Sequence, residues 1–189
     1  MEVPGDGDES WYLWWCVRSP HISHVLSVAY SLAGLRVDKV IVIPCWGHAF
    51  GKQMTPFHHR LTMTERAFET FDPERVRVSD LERTIRAGYT VDLLGELHLR
   101  MPDDQLVLIM GEDEWAVRDK WHRWSDVEKL AEVAVVGREG VPDEGRSIRM
   151  PDISSTQIRN LIRDKGPEAA RCLVPTVVLD YIREHGLFH

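Results

Sequence analysis

The stretch from Tyr12 to Pro44 constrains the fold more than any other part of the chain. Tyr12 to Val17 is short, apolar and aromatic, as a buried strand is, and Arg18-Ser19-Pro20 breaks it. From Ser23 onward Leu26, Ala29, Tyr30 and Ala33 recur at helical spacing until Gly34, a C-terminal stop. Lys39 to Pro44 encloses Val40-Ile41-Val42-Ile43, the unbroken β-branched run of a strand covered on both faces. Strand, helix and strand within roughly 30 residues make a βαβ unit, which requires a parallel sheet and a right-handed crossover.

The remaining pattern continues the alternation. Cys45 to His59 reads as a long irregular loop, and Thr62 with Glu65 as a capping box opening a helix that runs through Phe71. Val76 to Ser79 is a short strand, a polar loop carries Tyr89-Thr90, and Val91 to Leu99 has helical spacing. Gln105 to Met110 is a strong strand ending in Gly111-Glu112-Asp113. Trp115, Trp121 and Trp124 follow, then a strand at Val133 to Val136 and a charged loop from Gly137 to Met150. Helices over Ser155 to Lys165 and Thr176 to His185 end the chain. This order predicts an α/β fold with a doubly wound, mostly parallel sheet, whose ligands sit at the carboxyl ends of its strands.

With 189 residues, 43% of them hydrophobic, the chain suits a single domain over 11–189. The acidic, glycine-containing lead-in at 1–10 is expected to be disordered. A net charge of −7 argues against a broad nucleic-acid surface and leaves room for a small local group of cations. The apolar run from Trp11 to Val17 is too short for a bilayer and lacks the basic start of a signal peptide. Cys16, Cys45 and Cys172 form no disulfide framework, so a reducing cytoplasm is the natural setting.

Four groups of residues could carry chemistry. Ser154 with Gln157 is a capping box at the start of the penultimate helix. Ser154, Ser155 and Thr156 then crowd a positive helix terminus, with Arg159 one turn inside, an arrangement that can hold a polyphosphate without a glycine-rich loop. The plain alternative is a Ser-capped helix with an exposed arginine. His21 and His24 share one face of the first helical turn, where they either bridge phosphate oxygens during phosphoryl transfer or simply cap the helix. Asp113 at a strand end is placed either for ribose hydroxyls or as an N-cap. The tryptophans either stack on a flat ring or pack the core.

Cys45-Trp46-Gly47-His48 has ligand-like spacing, but no second Cys/His pair stands at zinc-finger distance, so no metal site is expected. His58, His59, Lys52 and Arg60 are expected to rim an anion site or to be solvated. No nucleophile motif, Walker loop or Gly-x-Gly-x-x-Gly occurs, which favours direct displacement over a covalent intermediate.

Together these pieces resemble the nucleotidyltransferase superfamily marked by His-x-Gly-His after the first strand and Ile-Ser-Ser-Thr-x-Ile-Arg near the end. Within it the chain is most similar to bacterial nicotinate mononucleotide adenylyltransferases. The narrower resemblance lies in Ile43-Pro44 before a long loop, Arg60-Leu61-Thr62-Met63, Tyr89-Thr90 and Gly111-Glu112-Asp113 with Trp121-His122-Arg123-Trp124. Leu173-Val174-Pro175, Tyr181-Ile182 and Gly186-Leu187 complete it.

The resemblance implies a Rossmann-like nucleotidyltransferase fold and transfer of AMP from ATP, with Mg2+, to the phosphate of nicotinate mononucleotide, a step of NAD biosynthesis. It implies His21, His24 and Arg159 as catalytic residues. Ser154, Ser155 and Thr156 would hold the β- and γ-phosphates, Gly111 and Asp113 the adenosine ribose, and Tyr89, Thr90 and Trp121 the pyridine nucleotide. The partners implied are a mononucleotide and ATP, with no nucleic acid or membrane, and a homo-oligomer is compatible.

Two segments depart from the family pattern. Trp14-Trp15-Cys16-Val17-Arg18-Ser19-Pro20 stands where Gly-Gly-Thr-Phe-Asp-Pro is usual, without glycine and one residue shorter before His21, and Ser23 replaces the glycine between the histidines. Side chains there narrow the backbone's approach to phosphate, and Arg18 and Ser19 are the candidates to supply donors instead. Lys52 is an approximate substitute for the family's loop lysine. The competing readings are another acceptor, such as nicotinamide mononucleotide or phosphopantetheine, and a nucleotide-binding homologue with little catalysis.

Overall fold

The computed structural model describes residues 11–17, 19–35, 37–47, 54–86, 88–138 and 149–188; for 11–17 and 138 it describes the backbone alone. Strand β1 (Trp11–Val17) leads to helix α1 (Ile22–Gly34) and strand β2 (Lys39–Pro44), so the expected βαβ unit forms. Then come α2 (Phe57–Phe68), β3 (Val76–Val78), α3 (Leu81–Ile85), α4 (Thr90–Arg100) and β4 (Gln105–Gly111). The chain continues through α5 (Glu112–Trp115), α6 (Trp124–Leu130), β5 (Glu132–Arg138), β6 (Arg149–Met150), α7 (Ser155–Lys165) and α8 (Thr176–Glu184).

Six strands among the described residues form one sheet in the order β3-β2-β1-β4-β5-β6, every pair parallel. This is the doubly wound order, whose ligand crevice lies beside the carboxyl end of β1. Register levels that edge. Val17 pairs with Pro44, and Trp14 with Leu108, so three residues further along both strands Val17 stands level with Gly111.

Side-chain alternation assigns the two helical layers. Val40, Val42, Val107 and Ile109 join Val28, Met63, Phe68, Ile158, Ile162, Val178 and Ile182 in one buried cluster, which places α1, α2, α7 and α8 on one face. Ile43, Leu106 and Leu108 join Leu81, Leu93, Leu94, Leu97 and Val127 on the other, under α3, α4 and α6. Leu108 and Ile43 are fully buried at the centre of that second layer, where truncating either to Ala costs about 2–5 kcal/mol.

Several elements differ from the expected ones. Helix α2 starts at Phe57 behind Pro56, whose carbonyl accepts from Arg60 N–H, and not at Thr62. Thr62 sits inside the helix, and the chain leaves it after Phe68, before Phe71. Residues 80–86 and 111–130 hold the short helices α3, α5 and α6, which are too brief to show periodicity in the sequence. Met150, within the expected loop, forms an edge strand with Arg149.

Candidate active site

A cleft of about 260 Å³ opens at the carboxyl edge of the sheet, between the starts of α1 and α7 and the end of β4. His21, Ser23 and His24 line it from α1, Gly111, Asp113 and Glu114 from the end of β4, and Ser154, Ser155, Thr156 and Arg159 from α7. The histidine pair, the strand-end carboxylate and the hydroxyl-rich helix terminus are separated by up to 138 residues of chain and meet in one cavity.

His21 is the N-cap of α1 and His24 its third residue. Both are buried, with ring centroids 3.7 Å apart. The backbone N–H of His21 donates to His24 Nδ1 at 3.2 Å, so a neutral His24 ring carries its proton on Nε2. Capping and cleft lining are therefore compatible roles of the same pair. The burial of both rings against the helix terminus fixes where any proton or phosphate oxygen would meet them.

The start of α7 is built by its capping box. Ser154 Oγ accepts from Gln157 N–H at 3.1 Å, and Gln157 Oε1 accepts from Ser154 N–H at 3.3 Å. The box leaves the N–H groups of Ser155 and Thr156, first and second in the helix, directed out of its terminus, where an anion is favoured. Ser155 Oγ donates to the carbonyl of Ser19 at 3.0 Å, and Ser23 Oγ donates to that of Pro151 at 3.2 Å. These two bonds tie the segment after β1 to the segment before α7 and set the width of the cleft. Arg159 reaches Thr156 Oγ1 at 3.1 Å and Ser19 Oγ at 3.4 Å. Ser19 is thus buried beside the α7 terminus, and Ser23 uses its hydroxymethyl group across the cleft.

Gly111 is set by space rather than by an unusual backbone angle. A Cβ there would lie 2.5 Å from Asp113 Oδ1, so a side chain at 111 would push the Asp113 carboxylate out of the position it holds.

The expected pyridine-nucleotide residues stand elsewhere. Tyr89, Thr90 and Trp121 are not among the residues lining this cleft. Tyr89 is the exposed N-cap of α4 and stacks on His122, with centroids 4.3 Å apart. Trp121 is half-buried and meets Trp124 edge-on at 5.9 Å, packing against the second core cluster. Arg123, held in the left-handed region at φ 54° and bonded to Asp126 at 2.8 Å, turns the chain between the two tryptophans. Arg18 and Lys52 lie outside the described residues.

Of the residues expected to rim an anion site or to be solvated, Arg60 is corrected and His58 is exposed. Arg60 is neither solvated nor at a rim; it is buried in α2 and donates to the carbonyls of Thr55 at 2.8 Å, Trp46 at 3.2 Å and Cys45. From the opposite layer Glu82 accepts the Trp46 N–H at 2.8 Å. Burial pushes the Glu82 carboxyl up to about 7, opposed by that bond and by the Arg60 charge. His59 bonds the Tyr181 hydroxyl at 2.9 Å, and burial, with His58 and His185 beside it, holds its ring below the usual histidine range. Cys45 is disulfide-bonded, which corrects the expectation that the cysteines form no disulfide and removes it as a thiolate ligand, while His48 lies outside the described residues.

Sequence reasoning missed Glu114, Val136, Met150 and Pro151 as cleft walls. Of these only Glu114, in the acidic run after a strand, carried a readable signal.

The cytidylyltransferase-like family matches residues 20–161. A protein of Anaeromyxobacter sp. (strain K) described as "Probable nicotinate-nucleotide adenylyltransferase" is 38% identical over 173 residues, covering 89% of this chain and 90% of that one. One of Myxococcus xanthus with the same description is 36% identical, covering 89% of this chain and 88% of its own length. Among solved structures, nicotinic acid mononucleotide adenylyltransferase of Plasmodium falciparum complexed with NaAD superposes with a TM-score of 0.77 at 16% identity. It covers 94% of this chain and 96% of that one, a likeness of fold. With relatives this similar along nearly its whole length, the chain belongs to the cytidylyltransferase-like nucleotidyltransferases, in the nicotinate-nucleotide adenylyltransferase group.

Proposed function

We propose that this protein transfers the adenylyl group of ATP to the phosphate of nicotinate mononucleotide. An acceptor phosphate oxygen attacks the α-phosphorus, the bond from that phosphorus to the bridging oxygen breaks, and pyrophosphate leaves. The observation that carries this reading is the convergence of His21, His24, Asp113 and the α7 terminus in one cleft. The names of the relatives supply the acceptor.

In this reading His21 and His24 would hold phosphate oxygens and the charge that develops on them. The N–H groups of Ser155 and Thr156, with Arg159, would take the β- and γ-phosphates. Asp113 would accept from the ribose hydroxyls. Such a site works through placement and electrostatics, since phosphoryl chemistry needs little covalent help from the protein. Tyr89, Thr90 and Trp121 would contact the acceptor from outside this cleft.

No group of three or more His, Cys, Asp and Glu among the described residues is spaced to cage a metal. A magnesium ion held mainly by phosphate oxygens and water needs no such cage, and Asp113 and Glu114 are the cleft carboxylates that would meet its water shell. When bound, the ion would neutralise charge on the departing pyrophosphate. No described helix is long and apolar enough to cross a membrane. We further read residues 11–189 as one catalytic domain.

The test is pyrophosphate release with Mg-ATP and a panel of nicotinate mononucleotide, nicotinamide mononucleotide and phosphopantetheine. Turnover is expected to be fastest with the first and absent with the last. No turnover with any acceptor, despite measurable ATP binding, would sink the enzyme reading.

A further inference from the structure

The turn after β2 is held with more apparatus than a connecting loop needs. Its backbone is gripped from both sides of the sheet, with the carbonyls of Cys45 and Trp46 taken by Arg60 of α2 and the Trp46 N–H by Glu82 of α3. Both gripping side chains are buried ionisable groups, which folds retain only where every polar atom is well matched. The desolvation that raises the Glu82 carboxyl is a further sign that this contact is kept against a cost. What the grip presents is the Trp46 ring. It leans edge-on against Phe57 at 5.3 Å and leaves 39% of its surface open. Phe57 is in turn steadied by the guanidinium groups of Arg60 at 5.2 Å and Arg83 at 5.8 Å.

The turn is also well placed. Pro44 is level with the end of β1, so Trp46 stands on the same edge of the sheet as the cleft. Glu82 belongs to α3, whose Leu81 packs in the same cluster as Val91 and Leu94 of α4, the helix that Tyr89 and Thr90 begin. One rigid layer thus connects the grip to the expected acceptor residues.

We propose that Trp46 is a stacking surface for the aromatic ring of the mononucleotide acceptor, and that Arg60 and Glu82 are positioning residues that hold its turn at the rim. This rests on the adenylyl-transfer reading above. It adds an acceptor contact on the β2 side, and it explains why two buried charges are committed to one turn.

The experiment compares the wild-type protein with Trp46→Ala, Trp46→Phe, Glu82→Ala and Glu82→Gln, measuring kcat and both KM values. Trp46→Ala is expected to raise the acceptor KM about tenfold, the loss of one ring stack, while kcat and the ATP KM stay near wild type. Trp46→Phe restores most of it. Glu82→Ala follows Trp46→Ala, and Glu82→Gln, which keeps an acceptor oxygen for the Trp46 N–H, does not. An acceptor KM unmoved by Trp46→Ala, or both KM values rising together, overturns the proposal. Amide hydrogen exchange at Trp46 is read without activity: faster in Glu82→Ala but not in Glu82→Gln is the expected result, and equal rates overturn the grip. A wild-type protein inert toward every acceptor would refute the reaction alone, leaving the grip to be decided by exchange. Should Glu82→Ala not fold, Trp46→Ala, which removes a half-open ring, still decides the stacking role.

Discussion

The two halves of the proposed site are built in opposite ways. The polyphosphate half comes from two short contiguous motifs, His21 to His24 and Ser154 to Arg159, each organised by bonds that span three residues and then joined by the long-range bonds of Ser155 to Ser19 and Ser23 to Pro151. The acceptor half depends on contacts between distant segments, such as the Trp46–Glu82 hydrogen bond and the Tyr89–His122 ring contact, laid across the opposite layer. Local motifs give strong placement from few residues. The acceptor side needs the whole layer to be in register before any contact exists.

The largest effect belongs to His24. Replacing it with Ala is expected to lower turnover about 10²- to 10³-fold, the usual loss of one preorganised electrostatic group, with a smaller change in ATP binding by calorimetry. Unchanged turnover would remove the phosphate half from the mechanism.

On the other side, Glu82→Gln probes stability through pH. A carboxyl raised from 4.5 to about 7 favours folding fully below pH 4.5, and that stability is lost as pH rises through 7. Urea unfolding should therefore show wild type losing on the order of 2–3 kcal/mol from this group between pH 4.5 and 8. Glu82→Gln should be flatter over that window and more stable at its upper end. A parallel pair of curves would show that Glu82 is not desolvated as the fold implies.

Gly111→Ala and Asp113→Ala should act alike, because a Cβ at 111 meets Asp113 Oδ1 at 2.5 Å. Each is expected to raise the ATP KM about tenfold, the worth of a charged hydrogen bond, and to leave the acceptor KM unchanged. Divergence between the two variants would place the ribose contact elsewhere. The smallest effect belongs to Ser154→Ala, which removes the cap of α7 and should cost about 1 kcal/mol. In a chain of this size that is a fall of about 2–4 °C in Tm by calorimetry.

The legibility of the site follows the same division. Ser154 and Gln157 announce their helix because a capping box is a three-residue bond between fixed residue types. His21 and His24 are legible as a pair on one turn, though not as a pair that bonds itself through His21 N–H. Arg60 was expected near anions because an arginine in a loop usually faces water; five residues of helix before Thr62 buried it instead. Thr62-x-x-Glu65 resembles a capping box, yet Pro56 starts the helix earlier, and the tertiary packing of Met63 and Phe68 overrides the local signal. Trp121 was legible as an aromatic and not as a residue turned inward, since that depends on the left-handed corner at Arg123.

From its residues alone this chain is committed to a parallel sheet, because the unbroken apolar runs at 40–43 and 106–109 alternate faces and both faces must be covered. The same residues commit it to a helix terminus that favours anions, because caps and dipoles are local. Only the tertiary structure decided which strand ends stand level, which loop the buried charges of Arg60 and Glu82 hold, and where the rings of Trp46 and Trp121 point. Those outcomes rest on contacts between segments far apart in sequence, and no local pattern encodes the distance between them.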